Sequence, residues 1–130
     1  MITTQDVSDI LYGVCRKEFG INTYHHLMIT EGEVLEDRVT IHPKAIQKSM
    51  YWNTCFVEVN ISVPDRQSRA DMDKLQSYSR KAVGILDGES GEYDGTAYRY
   101  SVFSIDILED VDLRCHYVNV RVKFEILNAK

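Results

Sequence analysis

The sequence predicts an α+β fold in which two amphipathic helices cover one face of a mostly antiparallel, mixed sheet of four to five strands. Two stretches of the 130-residue chain carry apolar residues at helical spacing, and five others have the character of strands. Their order is α-β-β-β-α-β-β, which is typical of a two-layer sandwich with one open sheet face. A chain of this length fits a single domain, which we place at residues 1–130.

The first helix is predicted over residues 5–19. Thr3 or Thr4 can cap its first turn, because a side-chain oxygen there accepts a free backbone N–H. Gly20 can adopt the left-handed conformation that commonly ends a helix. The apolar residues of this helix form a single stripe: Val7, Ile10, Leu11, Val14 and Cys15.

Three strands are predicted next, at residues 22–30, 37–41 and 52–63, with residues 42–51 connecting the last two. The third is the central strand, and Pro64 ends it because proline has no N–H to donate to a sheet. One face of this strand is polar, with Glu58, Asn60 and Ser62. The other face is apolar and is expected in the core: Val57, Val59, Ile61 and Val63.

The second helix is predicted over residues 69–86, with Ser68 and Asp71 at the spacing of a capping box. Residues 87–95 are predicted as a loop. Two long strands, at residues 98–108 and 116–127, then close the chain as a hairpin. In the first of them the apolar positions change parity between Val102 and Phe103, which predicts a β-bulge.

The net charge of −5 is unevenly distributed along the chain. Residues 87–112 hold eight acidic residues and one arginine, a net charge of −7, whereas residues 113–130 hold four basic residues and one glutamate, a net charge of +3. Such asymmetry favours contacts between copies of the chain through complementary patches. An acidic chain without a long basic stripe argues against sequence-specific nucleic-acid binding, because phosphate contacts dominate that affinity.

No catalytic, cofactor-binding or metal-binding motif is apparent, and we expect a protein that is not an enzyme. His25 and His26 are neighbours on a predicted strand, so their side chains should point to opposite faces. The same holds for Cys115 and His116. The three cysteines form no CxxC pair and are expected as buried, unpaired thiols.

We predict an interaction surface instead of an active site. The open face of the sheet, an aromatic residue in an acidic segment and the acidic hairpin turn supply its candidates. The acidic turn lacks the glycine and terminal glutamate of an EF-hand, so it is not interpreted as a calcium site. The predicted interface residues are Glu58, Asn60, Ser62, Arg121, Lys123, Tyr93, Asp110 and Asp112.

Residues 55–88, CFVEVNISVPDRQSRADMDKLQSYSRKAVGILDG, lead a strand through V-N-I-x-V-P-D into a helix that is followed by a glycine. This stretch and the order of the segments resemble the small tail-terminator, or tail-completion, proteins of long-tailed bacteriophages and prophages. The similarity of layout extends over residues 6–127. The residues that carry it are Val59, Asn60, Ile61, Val63, Pro64 and Asp65.

The resemblance implies a structural protein of the virion tail that assembles into a homo-oligomeric ring, commonly a hexamer. Such a ring caps the tail tube and joins it to the head, so the implied partners are further copies of the chain, tail-tube proteins and head–tail connector proteins. The implied location is the host cytoplasm during assembly and then the virion tail. No cofactor is implied, and neither a signal peptide nor a transmembrane segment is expected.

Two other functions stay open at the level of the sequence. A small hydrolytic enzyme would need the fold to bring together histidines and cysteines that are distant along the chain, namely His25, His42, Cys55 or His116. Such an enzyme should show a concave pocket in which at least two of these side chains converge. The other alternative is a general α+β binding module for a protein partner or a small ligand.

Overall fold

The computed structural model describes residues 1–28 and 32–128 and shows an α+β fold. Its helices are α1 (Thr4–Phe19) and α2 (Met72–Leu86). Its strands are β1 (Asn22–His25), β2 (Arg38–Pro43), β3 (Trp52–Pro64), β4 (Glu89–Tyr93), β5 (Thr96–Asp110) and β6 (Cys115–Leu127). They form one sheet in the order β1-β2-β3-β6-β5-β4, with β1 parallel to β2 and the other neighbours antiparallel.

The α+β class and the mixed sheet are confirmed, but the predicted strand count and element order were wrong. The additional strand is β4, which lies where the sequence predicts a loop. Tyr93 pairs with Thr96 across Asp94 and Gly95, whose φ angles are 50° and 79°. Two left-handed residues match the twist of a tight hairpin. The prediction failed because β4 is polar on both faces and interrupted by Gly91, so it carries no alternation of apolar residues.

The core lies between the two helices and the apolar face of the sheet. β3 and β6 pair along their whole lengths, and their register sets Val57, Val59 and Ile61 opposite Val122, Val120 and Val118. These side chains are fully buried. Helix α1 contributes Val7, Leu11, Cys15 and Phe19 to the same cluster, and α2 contributes Leu75, Ala82 and Leu86. The predicted apolar faces of the first helix and the central strand are therefore confirmed.

The ends of α1 follow the sequence closely. The Thr3 hydroxyl accepts the backbone N–H of Asp6, and the Asp6 carboxylate accepts the backbone N–H of Thr3, so a complete capping box starts the helix. Gly20 follows the last turn with φ 66°. Both predicted signals are confirmed.

Helix α2 starts later than predicted, at Met72 instead of residue 69. Arg66 and Arg69 exchange backbone hydrogen bonds across a two-residue turn, in which Gln67 and Ser68 have φ angles of 52° and 63°. A residue in this conformation cannot lie in a right-handed helix, so Ser68 takes no part in a capping box. The cap is Asp71, whose carboxylate accepts the N–H of Lys74.

The predicted bulge in β5 is confirmed by a shift of register between Val102 and Ser104. Val102 lies opposite Val122 before the shift, and Ile105 lies opposite Val120 after it. The extra residue, Phe103, turns to the other face of the sheet. Both halves of β5 thereby direct apolar residues toward the helices, as the change of parity required.

Two other boundaries differ from the prediction. β1 ends at His25, and a short 3₁₀ helix follows over His26–Met28, while the remainder of the predicted strand lies outside the described residues. β2 extends to Pro43, where the sequence predicted an end at residue 41. Within residues 1–28 and 32–128, no helix is long and apolar enough to cross a membrane.

Gly13 inside α1 and Gly20 directly after it should respond oppositely to the same substitution. Gly13 lies inside the helix with open space around its Cα, so Gly13→Ala should raise the free energy of unfolding by about 0.5–1 kcal/mol. Gly20 is left-handed, so Gly20→Ala should lower it by about 1–2 kcal/mol. Urea unfolding of both variants measures the difference. Equal effects would show that Gly20 does not need its left-handed conformation.

Candidate functional site

The sheet face that the helices leave uncovered carries the candidate site. We call it the open face and define it by Phe56, Glu58 and Asn60 of β3, Phe103 of β5, and Asn119, Arg121 and Lys123 of β6. The β3–β6 register sets Asn60 opposite Asn119 and Glu58 opposite Arg121. These residues lie between the core residues of the same strands, so the packing of the core holds their backbone in place.

A hydrogen-bonded polar group occupies the centre of the open face. The Asn119 Nδ2 donates to the Asn60 side-chain oxygen at 2.7 Å and to Glu58 Oε1 at 3.3 Å. The Lys44 ammonium, at the end of β2, lies 3.1 Å from Glu58 Oε2. The three strands β2, β3 and β6 are thus linked by polar side chains as well as by their backbones.

The charge of Glu58 is stabilised by its neighbours. Partial burial raises the pKa of this carboxyl, but hydrogen bonds from Lys44 and Asn119 and the positive charges of Lys44 and Arg121 outweigh that effect. The net result is a pKa below the usual value for glutamate. Glu58 is therefore a fixed anionic point on the open face at neutral pH.

Aromatic rings and guanidinium groups flank the polar group. Arg121 lies over the Phe56 ring at 4.9 Å and near the Phe103 ring at 5.9 Å, and the two rings meet edge to face with centroids 5.2 Å apart. Further along the sheet, Arg99 lies 3.9 Å from the centre of the Trp52 ring. Exposed phenylalanine beside a stacked arginine is the composition expected of a protein-binding surface.

The structure brings together five of the eight predicted interface residues: Glu58, Asn60, Ser62, Arg121 and Lys123 share one face of β3 and β6. Ser62 is only 6% exposed, which leaves it little surface for a partner. Tyr93 lies apart, on edge strand β4, where the negative charge of Asp6 raises its pKa. Asp110 and Asp112 lie at the β5–β6 turn, and the Asp110 carboxylate accepts the N–H of Leu113.

His25 takes part in a contact that the sequence did not reveal. Its Nδ1 lies 2.7 Å from the Ser8 hydroxyl, its Nε2 lies 3.5 Å from the Asp9 carboxylate, and its ring stacks on Tyr12. Serine, histidine and aspartate are the residue types of a hydrolase catalytic triad. Ser8, however, is only 1% exposed and faces the interior, where a substrate has no access. The contact attaches α1 to edge strand β1.

His116 lies between two carboxylates. Its Nδ1 is 2.7 Å from Asp65 Oδ1 and its Nε2 is 3.2 Å from Glu109 Oε2. An open depression of about 670 Å³ lies beside this group and is lined by Asp65, Ser68, Glu109 and Arg114 among others. Because Asp65 and His116 are 51 residues apart, no local motif could have indicated the pair.

Within residues 1–28 and 32–128, the remaining histidines and the cysteines form no hydrogen bond with one another. The rings of His26 and His42 lie 5.8 Å apart, and burial together with the charge of His26 lowers the pKa of His42. All three cysteines are unpaired and buried, as predicted. Burial raises the thiol pKa to about 12 for Cys15 and to about 11 for Cys55 and Cys115, so their reactive thiolate forms are suppressed.

Among residues 1–28 and 32–128, no three histidine, cysteine or acidic side chains are placed to hold a metal ion. Comparison with known proteins found no matching family model and no matching curated protein.

Glu58 should make folding more sensitive to acid. Because its folded-state pKa is lowered, its carboxylate stabilises the fold above the usual glutamate pKa of 4.5, and this contribution is lost as pH falls through the folded-state pKa. Wild type should therefore exceed Glu58→Gln in stability at neutral pH, and the gap should close on acidification. Chemical unfolding at several pH values measures it. Glu18→Gln, which removes an exposed carboxylate from α1, controls for net charge.

The two carboxylates at His116 should differ in importance. Asp65 is 19% exposed, so Asp65→Ala removes a partly buried hydrogen bond and should lower the free energy of unfolding by about 1–3 kcal/mol. Glu109 is 57% exposed, so Glu109→Ala should change it by less than about 1 kcal/mol. Thermal and urea unfolding compare them. A larger effect at Glu109 would show that the solvent-facing contact is the stabilising one.

Proposed function

We propose that this chain is a structural, non-enzymatic protein of a bacteriophage or prophage tail, similar to tail terminators, that assembles with its own copies into a ring. The proposal combines the resemblance of residues 55–88 to that family with the character of the open face. The ring would end the tail tube and meet the head connector. The chain would act in the host cytoplasm during assembly and then in the virion tail.

The observation that carries the proposal is that the open face combines hydrogen-bonded polar side chains with an exposed aromatic ring. Asn119 donates hydrogen bonds to Asn60 and Glu58 across the two central strands, and Phe103 on the same side of the sheet is 58% exposed. Aromatic residues and arginine are enriched at the centres of protein–protein interfaces. A pre-organised surface loses less entropy when another protein covers it.

Charge complementarity favours another copy of the chain as the partner. On the open face, Arg121 contacts aromatic rings and Lys123 lies beside it on the same strand face. At the far end of β6, the β5–β6 turn carries Asp110 and the exposed Asp112. Contact between the basic surface of one copy and the acidic turn of the next is heterologous, and heterologous contacts close into rings when the rotation permits.

A second candidate is a binding or hydrolytic function at the depression beside His116. Its support is the close Asp65–His116 contact, an arrangement that orients an imidazole in many hydrolases. Glu109 occupies the other ring nitrogen, so a substrate could reach the imidazole only after this side chain moved. Loss of hydrolysis of a nitrophenyl ester in a His116→Gln variant would favour this candidate, whereas equal background rates would exclude it.

Asn60→Leu should impair assembly more than folding. Asn60 accepts a hydrogen bond from Asn119 on the open face but contributes nothing to the buried cluster. We expect wild type to form concentration-dependent oligomers in sedimentation velocity and rings in negative-stain micrographs, and Asn60→Leu to sediment as smaller species with its melting temperature nearly unchanged.

The matched control is Gln5→Leu, which places the same apolar group on the exposed side of α1 and should leave assembly intact. A variant at position 60 that unfolds but leaves the oligomer distribution unchanged would contradict the role of the open face. A wild-type protein that stays monomeric both alone and with tail tubes would contradict ring assembly itself.

A further inference from the structure

Two thirds of β5 is an unpaired sheet edge. β4 pairs only with residues 96–100 of β5, whereas β5 continues to Asp110 beside β6. We call residues 101–110 of β5 the free edge. No strand in the described part of the chain lies along its outer side. Unpaired edges of this length are templates for adding another strand.

The free edge exposes apolar side chains that a stable, isolated edge strand would normally lack. Phe103 is 58% exposed, and Ile105 and Leu108 are each 39% exposed. Leu108, opposite Tyr117, lies on the side of the sheet away from the helices, whereas Ile105, opposite Val120, lies on the helix side. An added strand would thus find apolar contacts on both faces of the sheet.

Two aspartate side chains accept hydrogen bonds from backbone N–H groups along this edge. The Val102 N–H donates to Asp87 Oδ1 at 3.1 Å, and the Ile107 N–H donates to Asp106 Oδ1 at 2.8 Å. Both backbone N–H groups are therefore bonded to a side chain and not to a neighbouring strand, and a side chain can rotate away. A basic group that drew the Asp106 carboxylate toward itself would release the Ile107 N–H for strand pairing.

The charge of the edge determines which strand can add. Asp106, Glu109 and Asp110 lie within the free edge, which contains no basic residue. Pairing two such edges would bring carboxylates together, and the outer strand β4 is also acidic, with Glu89 and Glu92. Like charges across paired strands are destabilising, so self-pairing here is disfavoured and a basic strand is favoured.

We propose that the free edge binds an extended segment of a different protein, with lysine or arginine at positions facing Asp106 and Glu109 and apolar residues between them. The segment would add as a seventh strand next to β5. This inference goes beyond ring assembly, because the edge is complete within one copy. The free edge shares Phe103 with the open face and Asp110 with the acidic turn, but strand addition uses the outward backbone groups of β5, which the ring contact does not need.

Three synthetic peptides of equal length test the proposal. The first has lysines facing the two carboxylates and valines between them; the second has glutamate in place of lysine; the third keeps the lysines but carries N-methyl groups on alternate backbone amides. We expect only the first to bind in fluorescence anisotropy at low salt. Its binding should slow hydrogen exchange of the Ile107 amide, because that donor enters a strand ladder.

Two substitutions identify the site of binding. Asp106→Asn keeps an oxygen for the Ile107 N–H but removes the charge, and it should weaken binding of the lysine peptide about threefold, the usual range for an exposed ion pair. Glu18→Gln removes a carboxylate from α1 and should leave binding unchanged. Circular dichroism confirms that both variants fold.

Equal binding of the N-methylated peptide would overturn the proposal, because attraction without strand pairing would then suffice. Protection of Ile107 that increases with protein concentration in the absence of peptide would also overturn it, since the occupant would be a second copy. Peptide binding is measured separately from sedimentation. A chain that binds the peptide but forms no rings would refute only the proposed ring, and rings without peptide binding would refute only the edge proposal.

Discussion

The pairing of β3 with β6 is the constraint on which the rest of the structure depends. The two strands are 13 residues each and pair from Trp52–Leu127 to Pro64–Cys115 without interruption. Their valines meet on one face and their polar residues on the other, so one register defines both the core and the open face. A slip by a single residue would exchange the faces, which is why a strand with one buried face specifies its register strongly. Neither surface can change independently of the other.

The features that the sequence predicted correctly are those encoded by side chains close together along the chain. The stripe of α1, the alternation of β3 and β6 and the bulge at Val102 each follow from where apolar residues must be buried. The features it missed are set by backbone conformation. β4 follows from the left-handed Asp94–Gly95 turn, and the late start of α2 follows from the left-handed Ser68. Neither conformation leaves a pattern of apolar residues.

For the candidate site, the same division separates what was foreseeable from what was not. The alternation of polar and apolar residues in β3 was enough to predict that Glu58 and Asn60 face away from the core. Their contact with Asn119 could not be predicted in this way. Asn119 is 59 positions from Asn60 and 61 positions from Glu58 along the chain, and only the strand register brings them together. The carboxylates around His116 and the aromatic contact of Phe56 with Phe103 arise in the same way. Ser62 shows the limit of this prediction, because it lies on the same face of β3 as Glu58 and Asn60 and is nevertheless buried.

The three buried cysteines can serve as built-in probes of local opening of the fold. Cys15 lies on α1, Cys55 near one end of the β3–β6 pair and Cys115 at the other, and none is more than 1% exposed. With their pKa values raised by burial, these thiols react only when their surroundings open. The labelling rate of each thiol by a thiol-specific reagent therefore reports separately on detachment of α1 and on fraying at either end of the central strands, with no mutation introduced.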